Sequence, residues 1–218
     1  MRRIVVLAAL GIVLLVLVVA QLVLPGIAAR RVRDQLSTSG TVLEVKVSAF
    51  PAIKLLWHQA DSVVVRMASY GAPVSDLSRT LTETGEAGSV DASVQVLSVG
   101  PLALREATMR KRGSSLTAAA TVTQSDLRAA AFFLQGVEPI ASADGSLTLR
   151  GTASFLGLTA SVSATVAARD GALVVAPDVP FGGIATLTLF SDPHVYVQSV
   201  SATSVPGGFR VSAEAKVS

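Results

Sequence analysis

A strict two-residue alternation, repeated along most of the chain, limits what this sequence can fold into. From Ser89 to Val96 every second residue is Val or Ala, and the residues between them are Ser89, Asp91, Ser93 and Gln95. Leu116, Ala118, Ala120 and Val122 repeat the pattern, as do Leu158, Ala160, Val162, Ala164 and Val166, and then Phe209, Val211, Ala213, Ala215 and Val217. A period of two belongs to strands, because successive side chains of an extended backbone point to opposite faces. One apolar and one wet face is the pattern of antiparallel sheet. Asp144-Gly145, Asp170-Gly171 and Pro206-Gly207-Gly208 fall between such runs and read as turns. On this period Val162 and Ala164 are expected inside, with Ser161 and Ser163 in water.

Two segments follow a helical period instead. Ala29, Val32 and Leu36 form a stripe, with Arg30, Arg31 and Asp34 on other faces, in a helix expected to end by Gly40. Thr123-Gln124-Ser125-Asp126 resembles a capping box, and Leu127, Ala130, Ala131 and Leu134 follow at i, i+3, i+4 and i+7 as far as Gly136. Phe132 and Phe133 flank that stripe, so this helix has apolar surface for a core, a groove or lipid. The expected fold is therefore mainly β with two or more helices, an α+β domain.

The N-terminus sets location. After Arg2 and Arg3, Ile4 to Leu24 is apolar or Gly except for Gln21, close to the ~20 residues that cross a bilayer core as a helix. Val18-Val19-Ala20 also offers a small-residue cleavage pattern, so residues 1–25 read as a retained anchor or a cleaved signal peptide, and residues 26–218 as an exported domain. The expected location is a single N-terminal span with the domain outside the cytoplasm, or secretion after cleavage. Arg30, Arg31 and Arg33 compete with Arg2 and Arg3 in setting orientation.

Composition excludes several chemistries. The chain carries 18 basic and 15 acidic residues; without Arg2 and Arg3 these become 16 and 15, too even a balance for nucleic-acid binding. The absence of cysteine removes disulfides, thiolate metal sites, a Cys nucleophile and a lipidated N-terminal Cys. His58 and His194 have no HExxH-type neighbours, and no G-x-S-x-G elbow occurs, so no catalytic residue, metal or cofactor is assigned. Arg105, Arg110, Lys111 and Arg112 form the one basic run of the domain, either a solvated surface or a patch for anionic headgroups.

The run from Val42 to Met67 reads as a strand, a Phe50-Pro51 corner, an apolar segment of Ile53, Leu55, Leu56 and Trp57 broken by Lys54, and a second strand. Proline removes a ladder donor and restricts Phe50 to extended geometry, which suits a corner between strands. Preceded by Ala29, Arg30, Val32 and Leu36, this stretch resembles the LmeA-like phospholipid-binding proteins of the cell envelope. The resemblance extends through Ser125-Asp126-Leu127 and the Asp170-Gly171 turn to the C-terminal strand. It implies a tubular lipid-binding-like fold, a long curved antiparallel sheet wrapped around a helix with an apolar groove.

The residues themselves make a groove plausible on volume. Inward faces built of Val and Ala either let a helix lie close or leave a trough that something else fills, and an acyl chain gains ~0.8 kcal/mol per methylene there. The lipid-facing candidates are Leu36, Phe50, Ile53, Leu55, Leu56, Trp57, Phe132 and Phe133, and the headgroup candidates are Arg105, Arg110, Lys111 and Arg112. The expected function is non-catalytic phospholipid binding at the membrane in support of envelope lipid or lipoglycan assembly. The alternative is a structural or protein-interaction module of the envelope without bound lipid.

Overall fold

The computed structural model describes residues 2–57, 59–72, 87–130, 134–155, 158–178 and 186–217, with side chains from Val19 onward except at 53, 56, 57, 72, 130, 134, 135, 153–155, 158 and 160. Helix α1 (Arg2–Ser37) leads into β1 (Gly40–Ser48), a short 3-10 helix (Ala52–Trp57), β2 (Ser62–Ala72), β3 (Ser89–Val99), β4 (Leu102–Arg112) and β5 (Ser115–Thr123). Helix α2 (Gln124–Ala130) precedes β6 (Leu134–Ala143), β7 (Ser146–Phe155), β8 (Leu158–Arg169), β9 (Ala172–Pro177), β10 (Leu187–Phe190), β11 (Val195–Val205) and β12 (Gly208–Val217). The strands read from alternation are all present. Among the described residues no helix is long and apolar enough to cross a membrane.

The expected single sheet is in fact two. Seven strands pair in the order β1-β2-β3-β4-β5-β12-β11 and five in the order β10-β9-β8-β7-β6. One pair departs from antiparallel order: β2 and β3 run parallel, joined through residues 73–88. Alternation reports a half-wet strand but not the direction of its neighbour. Irregularities interrupt the larger sheet. The β1–β2 register shifts around Leu43 and Ala68, and the β4–β5 register shifts around Glu106, which has φ of 50°, while β2–β3 and β3–β4 keep a constant register between them. An extra residue bends a strand and sharpens its twist, and these shifts accompany a curved, open sheet.

The sheets join where β11 crosses the hairpin ends of the smaller one. The Val197 N–H donates to Gly171 O at 2.9 Å, and the Val200 N–H to Gly145 O at 3.0 Å. Both acceptors belong to turns in which Asp144, Gly145, Asp170 and Gly171 all have positive φ, the conformation that tight hairpins require. Gly171 also has no room for a side chain, since a Cβ there would lie 2.6 Å from Cδ2 of Tyr196. The joint buries Val122, Val137, Leu147, Val166, Val200, Ala202 and Phe209 as the main core, and a smaller core holds Leu116, Val195, Ala215 and Val217.

Val162 corrects the sequence reading. It lies on the same strand face as buried Val166, yet 44 % of it is exposed. β8 is longer than the core it helps to cover, and alternation tells which face a residue is on, not whether anything lies over it. The second helix is also shorter than expected. It ends at Ala130, and Leu134, read as its last apolar position, begins β6. Gln124 explains the early reversal: its side-chain amide donates to Val137 O and accepts from Val137 N–H, drawing β6 back against the helix start.

Half of the expected capping box is present, the N-cap bond to Thr123, while the Asp126 carboxylate turns to Arg105 and the Thr123 hydroxyl. Thr123 Oγ1 accepts the Asp126 N–H at 3.2 Å and donates to Asp126 Oδ2, and Arg105 meets both Asp126 oxygens at 2.8 and 3.0 Å. Arg105 first, and Thr123 second, hold the Asp126 carboxyl below its usual pKa. A carboxyl lowered in the folded state stabilises fully above its unfolded value near ~3.9 and loses that contribution as pH falls through the folded value. Urea-unfolding curves should therefore show an acid limb that Asp126→Asn flattens, and Thr123→Ala should cost about 1 kcal/mol at neutral pH.

Candidate functional site

The two faces of the seven-stranded sheet differ in chemistry. The outer face carries Glu44 with Lys46 and Arg66, and Asp91 with Arg110 at 3.6 Å. The inner face is built of register rows that cross every strand. Val47, Val63, Val90, Lys111, Leu116, Ala215 and Val197 pair in turn across the sheet, as do Val45, Val65, Ala92, Met109, Ala118, Ala213 and Val200.

These rows are covered to different depths. All of the first row except half-buried Val63 is buried. The second is buried only at its ends, at Val45 and Val200; Val65, Ala92, Met109 and Ala213 are half-buried and Ala118 is exposed. Of the next inward positions, Val94, Ala120 and Val211 are also half-buried, and Met67 and Ala107 are buried. The middle of the inner face is thus an apolar shallow of small side chains between the two buried cores. With strands about 4.8 Å apart the row spans about 29 Å, longer than the ~15 Å of one leaflet's acyl region.

Lys111 is the one charge in either row. Only 4 % exposed, it donates from Nζ to Ala87 O, and burial lowers its pKa. The other headgroup candidates lie elsewhere. Arg105 is held by Asp126, Arg110 faces outward with Asp91, and Arg112 is exposed at the end of β4. Arg110 lines an outer-face hollow of about 310 Å³ together with Arg210 and Glu214. The basic run of the sequence is therefore divided between the two faces by strand alternation. Among the described residues no cluster of His, Asp and Glu could hold a metal ion.

Of the lipid-facing candidates, only Leu36, Phe50 and Leu55 have described side chains, and Leu36 lies apart from Phe50. α1 packs along β1 and against the 3-10 helix. Gln21 fixes the register, with Nε2 donating to Ala49 O at 3.2 Å and Oε1 accepting the Ala52 N–H at 2.7 Å. Phe50 is thereby held near Gln21, while half-buried Leu36 is fifteen residues further along the helix, a rise of about 22 Å. Phe50 is 76 % exposed, and its N–H donates to Asp61 Oδ2, which is the main reason the Asp61 carboxyl lies below its usual pKa. Leu55 is half-buried in the 3-10 helix. Ile53, Leu56 and Trp57 belong to the same helix, but their side chains lie outside the described set, and Phe132, Phe133 and His58 lie outside the described residues. His194 is exposed, its backbone N–H donating to Asp192 Oδ1 at 2.8 Å.

A family model described as LmeA-like phospholipid-binding matches residues 16–192. The chain belongs to this family. As an LmeA-like protein it falls among lipid-binding proteins, and the match takes in α1 from residue 16, the Phe50-Pro51 corner and every strand from β1 to β10. β11 and β12 lie beyond it, so the C-terminal strand included in the sequence resemblance is outside the matched span. No curated protein and no solved structure matches the chain. Of the inner-face row, Val45, Val65, Ala92, Met109 and Ala118 fall inside the matched residues, and Ala213 and Val200 outside.

Proposed function

We propose that this LmeA-like protein is an exported, membrane-anchored and non-catalytic phospholipid-binding protein, and that acyl chains lie along the inner-face row through Val65, Ala92, Met109, Ala118 and Ala213. The observation that supports this reading is the uneven cover of the sheet. An apolar face of Val, Ala and Met stays half-open between two buried cores, where each methylene laid on it would gain ~0.8 kcal/mol without a specific polar partner. Family membership supplies the ligand class. Anchoring rests on the sequence, where Arg2 and Arg3 precede a membrane-length apolar run. Support of envelope lipid or lipoglycan assembly is the role that fits a domain held at the membrane.

Full-length protein purified in mild detergent should carry phospholipid at near-stoichiometric level, measured by solvent extraction and mass spectrometry. If it is lipid-free and also takes up no lipid from anionic vesicles at low salt, the binding proposal fails and a structural envelope module takes its place.

A further inference from the structure

The apolar surface of α1 does not end where the domain begins. Val19, Leu22, Val23 and Ile27 are 51, 76, 49 and 47 % exposed, while Gln21, Leu24, Ala28, Val32 and Leu36 take the half-buried side toward β1. Beside this exposed stripe, the Gln21 side chain pins the corner that carries Phe50, itself 76 % exposed and followed by exposed Pro51. Arg30, Arg31 and Arg33 come next, all exposed.

We propose that the exposed side of α1 from Val19 to Ile27, together with the Phe50-Pro51 corner, seats the domain in the interface of an anionic bilayer. The inference rests on the anchoring reading above and adds an orientation to it. α1 is one helix from Arg2 to Ser37, so no extended linker separates the apolar run from the domain. If the run ends at the core boundary near Ala20, a rise of 1.5 Å per residue puts Leu22 and Val23 about 3–5 Å beyond it and Ile27, which follows the kink-forming Pro25, at most about 10 Å beyond it. Leu22 and Val23 thus fall within the headgroup region, which extends ~5–8 Å past the core, and Ile27 lies at its outer edge. Arg30 then stands at most about 15 Å out, beyond the headgroups but within about a Debye length of their negative charge. Exposed apolar groups near the core boundary and cations beyond them follow the order in which a bilayer presents hydrocarbon, interface and charge. The occupant of this surface is therefore the membrane that holds the run itself.

Because the chain has no cysteine, single-cysteine variants of the full-length protein can be labelled cleanly. The variants Leu14→Cys, Leu22→Cys, Phe50→Cys and Thr117→Cys would carry an environment-sensitive fluorophore. They would be reconstituted in phosphatidylcholine vesicles containing a minor share of phosphatidylglycerol and doxyl-labelled lipid. The labels at Leu22 and Phe50 should be quenched several-fold more than the label at Thr117 on the outer face of β5. Quenching at Leu14 with none above the Thr117 level at Leu22 and Phe50 would overturn the seating and leave anchoring intact. No quenching at Leu14 would overturn both. Circular dichroism checks each fold, and the Leu22 label decides the matter if Phe50→Cys misfolds.

Discussion

Val200→Asp should abolish the folded state, whereas Val162→Asp should leave stability within about 1 kcal/mol of the parent protein. Both replace an apolar strand residue by a carboxylate, so their difference isolates cover from composition. Val200 is 2 % exposed on β11, where the two sheets meet among Leu147, Val166 and Phe209. An unpaired carboxylate there must lose its hydration or protonate at several kcal/mol, a large share of the ~5–15 kcal/mol that holds a domain of this size. The substitution also strikes the joint itself, because the Val200 N–H is bonded to the β6–β7 turn at Gly145. Val162 keeps 44 % of its surface in solvent, so a charge there can remain hydrated. Urea unfolding followed by far-UV circular dichroism would read both. A cooperative transition of parental midpoint in Val200→Asp would mean that β11 is not the element joining the sheets.

The contrast also marks what the sequence could convey. Strand identity was legible because each strand keeps one wet face: Asp91, Ser93 and Gln95 between valines and alanine describe β3 without any partner. Turns were legible for a related reason, since Asp144-Gly145 and Asp170-Gly171 meet a backbone requirement that is entirely local. Cover and register are not local. Val162 and Val166 have the same period and the same chemistry, and only the placement of β11 separates them. The end of α2 was hidden by the same limit, because the Gln124 side chain that reverses the chain reaches a residue thirteen positions away.

The candidate site shows the limit most clearly. A contiguous apolar segment such as Ile53 to Trp57 draws attention in a sequence, but a row across a sheet takes one residue from each of seven strands. Ala92, Ala118 and Ala213 are individually unremarkable alanines. Gln21 stood out in the sequence only as a break in the apolar run, and its role came from the structure. As the one polar residue in the apolar run, it marks the turn at which the helix meets the domain.

Filling the inner-face row should displace lipid without weakening the fold. Ala118 and Ala213 are register partners on β5 and β12, one exposed and the other half-buried, and Met109 continues the row on β4. In a close-packed core, enlarging two alanines to phenylalanine would cost about 1–3 kcal/mol at each site through strain. Over an open shallow the rings have room, and their contact with Met109 should hold or raise the unfolding midpoint. The same rings would occupy space that an acyl chain needs. Denying a chain about four methylenes of contact removes about 3 kcal/mol, roughly a hundredfold in affinity. The full-length Ala118→Phe/Ala213→Phe double variant should therefore purify with little phospholipid by mass spectrometry and unfold no earlier than its parent. Stability and lipid content then move independently, which separates a ligand surface from a structural core. Lost stability with lost lipid would identify the row as packed core, and undiminished lipid in a folded double variant would place the acyl chains elsewhere on the molecule.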